Sequence, residues 1–179
     1  MCIRDRPYSL PGLDIAGASA TLDIPEGDNG TKGDGLRNLS AAVNLADKTY
    51  LSMEAVTGFG NLQINWADVA TEVTQNFSGG VNHLILHGTP YSKSYNGYNA
   101  SWPGWMAFGN NFCGSYSYRQ PYWEDMDTLA NYMARNQAIL QTGEAKVDLA
   151  ILNDKLTTFS NCLLYTSKKQ FSQRHWRSQ

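Results

Sequence analysis

Thr49–Ala55 (TYLSMEA) and Val81–His87 (VNHLILH) are the two stretches whose reading decides the fold. Each is a short apolar run with an ionisable residue at or near its end, Glu54 in the first and His87 in the second. Along an extended strand Ser52 and Glu54 point to one side, and Leu51 and Met53 to the other. Between the runs lies Trp66–Phe77. There Trp66, Val69, Ala70, Val73 and Phe77 form one apolar stripe at helical spacing, and Gly79-Gly80 supplies the stop. Upstream, Leu36–Ala46 has the same three-and-four spacing, with Asp34 as its expected N-cap. Downstream, Trp123–Thr142 is the clearest helix, with Trp123, Met126, Leu129, Ala130, Met133, Gln137 and Leu140 on one side and Gly143 in the C-cap position. Val147–Leu152 (VDLAIL) reads as a third buried strand. Residues 7–35 are loop-like, with a short strand around Ala18–Ile24.

Strand, helix, strand, helix, strand is the alternation of a parallel α/β architecture. Ligands in such folds bind beyond the carboxyl ends of the strands. Glu54 and His87 close successive strands, so they are expected at one mouth. The long loop from Gly88 to Tyr122, rich in Gly, Asn, Tyr and Trp, leaves from that same end.

The two ends of the chain read as having a different origin. Met1-Cys2-Ile3-Arg4-Asp5-Arg6 can be encoded by ATGTGTATAAGAGACAG plus one base. The reverse complement, CTGTCTCTTATACACAT, read from its second base, gives Cys-Leu-Leu-Tyr-Thr and then Ser, which are residues Cys162–Ser167. The two hexapeptides are opposite-strand readings of one inverted repeat, resembling the transposase end used in library preparation. Residues 1–6 are therefore read as an adapter-derived scar, and 162–179 as a second scar with its tail. About 155 residues remain between them, a length suited to one ordinary domain.

This exclusion changes the chemistry on offer. Two of the three cysteines lie in the scars, leaving Cys113 with no intramolecular partner. Arg4, Arg6, Lys168, Lys169, Arg174 and Arg177 also fall outside, so the remainder is more acidic than the formal charge of −2 implies. No basic nucleic-acid footprint is present. No apolar run reaches the ~18 residues of a membrane span. There is no GxSxG nucleophile elbow, and Cys113 has neither a helix N-terminus nor a basic neighbour to activate it.

Glu54 is the leading chemical candidate. A carboxylate at a strand's end in a water-filled mouth serves as general acid, general base, metal ligand or hydroxyl binder, against the plainer role of capping the next turn. Glycoside hydrolysis needs two carboxylates, and Asp23, Glu26 and Asp28 lie in a loop whose orientation the sequence leaves open. His87 is expected to bind a hydroxyl or orient Glu54. His83, four residues deeper on the same side, is expected to pack. Tyr91, Trp102 and Trp105 head the loop aromatics expected to stack on sugar rings. Trp66 and Trp123 lie on apolar helical faces and are expected in the core. No metal ligand set is assigned.

Taken together, SAAVNLADKTYLSMEA, WADVATEVTQNFSGGVNHLILHG, WPGW, and Trp123 with the following YMARNQAILQTG and VDLAIL resemble bacterial α-L-rhamnosidase-type glycoside hydrolases of family 106 and their relatives. The likeness covers roughly Leu36–Asp154. It implies the C-terminal part of a (β/α)8 TIM-type barrel over residues 7–145, followed by the first strand of a further domain over 146–161. Thr49–Ala55 and Val81–His87 would be the last two barrel strands, and Trp123–Thr142 the closing helix.

By the same resemblance Glu54 matches an active-site glutamate, the general base of an inverting mechanism, and His87 a substrate-binding histidine. The second carboxylate would lie on an earlier strand. The parent would be a secreted or periplasmic bacterial glycosidase acting on α-L-rhamnosyl or similar bonds in complex polysaccharides. No cofactor is assigned; relatives of this type can bind calcium near the sugar, which leaves calcium open for the parent. The partners expected are a carbohydrate and the remaining strands and domains of the parent. Val43-Asn44 stands where the family pattern has a histidine, which leaves the sugar open. The competing reading is a non-catalytic carbohydrate-binding protein that uses the loop aromatics.

A barrel without its other strands leaves Leu51, Met53, Leu84 and Leu86 short of partners. The isolated chain is expected to unfold weakly and non-cooperatively, or to aggregate, and to hydrolyse nothing alone. Calorimetry checks this: a sharp transition from a soluble monomer counts against it.

Overall fold

The structure is a computed structural model and describes residues 15–28, 33–56, 64–91, 102, 104, 105 and 114–148. Residues 1–6 and 162–179, the loop residues Tyr95, Tyr98 and Cys113, and most of Val147–Leu152 lie outside the described residues. In chain order the elements are α1 (Ile15–Ala20), β1 (Glu26–Gly27), α2 (Asp34–Leu45), β2 (Ser52–Ala55), α3 (Trp66–Ser78), β3 (His83–Leu86), a 3-10 turn (Pro121–Asp125) and α4 (Met126–Leu140). The strands form one parallel sheet in the order β1-β2-β3.

The alternation of β2 divides the molecule. Leu51, Met53 and Ala55, all essentially sealed from solvent, join Leu36, Leu39 and Val43 of α2, Val69 and Val73 of α3, and Leu129 and Met133 of α4 in one apolar cluster. Three helices thus cover one face. The other face carries Ser52 and Glu54. Gly27 shows how close the helical layer comes, because a Cβ there would lie 2.6 Å from Met53 Cε and 3.1 Å from Leu39 Cδ1.

Local chemistry fixes the helix ends. Asn65 caps α3 reciprocally: its Oδ1 accepts from Ala67 N at 2.9 Å and Asp68 N at 3.1 Å, while Asp68 Oδ2 accepts from Asn65 N at 3.2 Å. Such an arrangement satisfies donors that helix geometry orphans. After α3, Gly80 adopts φ 98, and a Cβ there would strike Ser40 of α2. Glycine is required on both counts.

Amide side chains complete the sheet where strands stop short. Asn82 Oδ1 accepts from Leu51 N at 2.9 Å and its Nδ2 donates to Thr49 O at 2.7 Å, so one buried side chain stands in for a neighbouring strand at the start of β2. From α4 and the residue that caps it, Gln137 Oε1 accepts from Leu84 N at 2.8 Å and Gln141 Nε2 donates to Asn82 O at 2.5 Å. These two glutamines cover the outer edge of β3 near its start.

Four local expectations change. Ile15–Ala20 is helical, and the short strand is Glu26–Gly27 rather than Ala18–Ile24. Pairing with β2 selects it: Ser52 N donates to Pro25 O at 2.9 Å, while Ile24 stays exposed. Helix α2 begins at Asp34 with Gly33, at φ 56, in the N-cap position. Trp123 is 41% exposed, because Pro121 opens a 3-10 turn that carries it off the apolar stripe of α4. Helix α4 ends at Leu140, with Gln141 rather than Gly143 as its cap.

Replacing Asn82 with Ala strips the buried Leu51 N–H of its acceptor, a loss of about 1–3 kcal/mol. Hydrogen exchange at the Leu51 amide should speed up correspondingly, and an unchanged rate would contradict the clamp.

Candidate functional site

Parallel pairing sets the site's dimensions. Ser52 pairs with His83 and Glu54 with Ile85 in the β2–β3 register, and Glu26 pairs with Ser52 across β1–β2. His87 follows β3 directly, and its N–H donates to Ala55 O at 3.2 Å. Side chains two apart share a face, so Glu26, Ser52, Glu54, His83, Ile85 and His87 all belong to the polar side of the sheet.

At the carboxyl end of that face His87 Nε2 lies 3.8 Å from Glu54 Oε1. The separation exceeds a hydrogen bond but allows charge attraction when the imidazole is protonated, or shared recognition of one hydroxyl. The side chains are 30% and 12% exposed, respectively, so both reach the surface while most of each carboxylate and ring is screened. His87 Nδ1 is buried without a hydrogen-bond partner. A buried nitrogen left without a partner costs about 1–3 kcal/mol.

The backbone just beyond Glu54 is constrained. Val56 is buried at φ 58, a left-handed conformation that β-branched residues rarely adopt. Its N–H donates to Glu72 Oε1 of α3 at 2.5 Å. A carboxylate on the helical layer thereby holds the turn that terminates β2 and, with it, the direction in which Glu54 leaves the strand.

Two clasps close the base of the loop after His87. Gly114 N donates to His87 O at 2.8 Å and Tyr116 N to Gly88 O at 3.2 Å. Further out, Tyr91 and Trp105 exchange two backbone hydrogen bonds of 2.8 and 3.0 Å, and their rings lie 5.6 Å apart at 42°. Tyr91 remains 64% exposed. Tyr122 supports the first clasp: its hydroxyl donates to Gly114 O at 2.9 Å, and its ring packs edge-on against Trp66 at 4.8 Å.

The structure therefore brings Glu54 to His87 and Tyr91 to Trp105. Trp102 is exposed, and its indole N–H donates to Arg119 O at 3.2 Å. Among the described residues no group of three or more His, Cys, Asp or Glu side chains could hold a metal ion. Sequence reasoning left Glu26 in an unoriented loop and assigned His83 to packing. Both stand on the polar face, joined through Ser52: its hydroxyl donates to Glu26 Oε2 at 3.0 Å and lies 3.0 Å from His83 Nδ1. The residue types and the alternation were readable. The missing signal was β1, whose two residues show no strand pattern by themselves.

Substituting Glu72 with Ala should remove about 1.5–3 kcal/mol of charge-assisted bonding at Val56 N. Exchange of the Val56 amide is expected to accelerate at least tenfold, with Glu72→Gln retaining most of the protection; equal rates in all three proteins would contradict the tether.

Compared with known protein families, curated proteins and solved structures, the chain matches none of them.

Proposed function

We propose that the chain carries part of the active-site mouth of a glycoside hydrolase, α-L-rhamnosidase-like in type, built on a (β/α)8 barrel. The observation that carries this reading is the 3.8 Å approach of Glu54 and His87 at the carboxyl ends of adjacent parallel strands. Sequential strand order with α2, α3 and α4 on one face supports a barrel wall. In that setting the polar face would be the lining of the mouth.

Glu54 would take a proton from a water molecule as that water attacks the anomeric carbon. The glycosidic bond breaks on the opposite face, and a second carboxylic acid protonates the departing oxygen. His87 would hold a sugar hydroxyl beside Glu54 and fix the ring's orientation. Tyr91 and Trp105 would offer apolar surface to a neighbouring sugar, as aromatic faces with polar edges do. The parent would be secreted or periplasmic, where complex polysaccharides are met. A purely carbohydrate-binding role draws on one specific observation, the contact of the exposed Tyr91 ring with half-buried Trp105.

Glu54→Gln in the protein that bears this chain separates the two. Turnover of an aryl α-L-rhamnoside should fall by about 10²–10⁴-fold, the scale of a lost general base, with sugar affinity changed only a few-fold. Unchanged turnover would reject the catalytic assignment.

A further inference from the structure

Glu26, Ser52 and His83 are direct register partners on three neighbouring strands, and their side chains form one continuous row across the sheet. Ser52 stands at the centre with its hydroxyl 3.0 Å from Glu26 Oε2 and 3.0 Å from His83 Nδ1. A serine hydroxyl has a single proton to donate. An ionised carboxylate only accepts, so that proton goes to Glu26. The face of Ser52 Oγ toward His83 then carries lone pairs, and the 3.0 Å contact is a hydrogen bond only if Nδ1 bears the hydrogen. The reverse assignment would set two acceptors against each other at the Glu26 contact.

We propose that Glu26, Ser52 and His83 form a carboxylate–hydroxyl–imidazole relay that fixes neutral His83 as its Nδ1–H tautomer. The relay presents Nε2 as a hydrogen-bond acceptor for a hydroxyl-bearing ligand, and the identification of that ligand as a sugar rests on the glycosidase reading. Ser52 is 1% exposed, which keeps water from competing for its hydroxyl. The His83 ring is further oriented by Tyr50, edge-on at 6.2 Å and 71°. Ser52 lies two residues from Glu54 and His83 four from His87 on the same face. Nε2 would therefore serve the floor of the mouth, one same-face position below the level of Glu54 and two below His87. His83 is the binding group in this account, and Glu26 and Ser52 are positioning residues.

The test is a long-range proton–nitrogen correlation spectrum of the full chain labelled with ¹⁵N-histidine, recorded near pH 8.5, about two units above the ordinary imidazole value. The relay predicts a protonated Nδ1 and an unprotonated Nε2 at His83. Ser52→Ala should convert the ring to the Nε2–H form, and Ser52→Thr should keep Nδ1–H. Should Ser52→Ala fail to fold, Glu26→Ala carries the test, since the freed hydroxyl can then donate to Nδ1 and produce the same conversion. An Nε2–H or averaged ring in the unaltered chain overturns the relay, as does a tautomer indifferent to both substitutions. Titration with L-rhamnose separates the readings. A shift of His83 Nε2 supports the sugar as ligand, whereas a correct tautomer with no shift overturns the carbohydrate assignment and leaves the relay standing.

Discussion

Everything in this molecule depends on β2 being paired in parallel, in one register, on both sides. A strand with period two has only two ways to present its side chains, and a slip of one residue exchanges them wholesale. In the observed register Leu51, Met53 and Ala55 enter the apolar cluster beneath the helices, and Ser52 and Glu54 stand on the polar face. The burial that stabilises the domain and the chemistry that it offers are therefore two consequences of one alignment. Burying residues the size of Leu51 and Met53 contributes about 1.5–3 kcal/mol each, so the energetic preference for this register extends to the polar residues it places.

That alignment is reinforced from several directions. Asn82 holds the start of β2 through both ends of its amide, Glu72 ties down the backbone after its end, and the hydroxyl of Ser52 bridges to both neighbouring strands. Gln137 and Gln141 do the same for the outer edge of β3. Short strands have few ladder hydrogen bonds of their own, and side-chain amides and carboxylates supply the rest. These are also the residues that hold the Glu54–His87 geometry, so stability and site geometry would be lost together.

The helical layer was legible in the sequence because its signals are periodic and local. The stripes of α3 and α4 recur every three to four residues, and the structure has helices at Trp66–Ser78 and Met126–Leu140. β2 and β3 were legible as short apolar runs, and alternation alone put Ser52 with Glu54. What stayed hidden is non-local. Strand β1 is two residues between a proline and an aspartate, and it becomes a strand only because β2 pairs with it. The positive φ of Val56 runs against the preference of its side chain and is imposed by tertiary contacts. Trp123 looked like part of a core stripe until Pro121 reset the local helix type. The row through Glu26 required β1, and without it the only local signal at His83 is its depth on the strand, which points to packing.

The account's central claim, that one register brings Glu54 and His87 into a shared mouth, is tested most directly by nuclear Overhauser contacts in the uniformly labelled chain. The account predicts cross-peaks joining Glu54 side-chain protons to the His87 ring, together with Ser52 to His83. Cross-peaks that place Glu54 among Leu84 and Leu86 on the helical side would show the opposite register and contradict it.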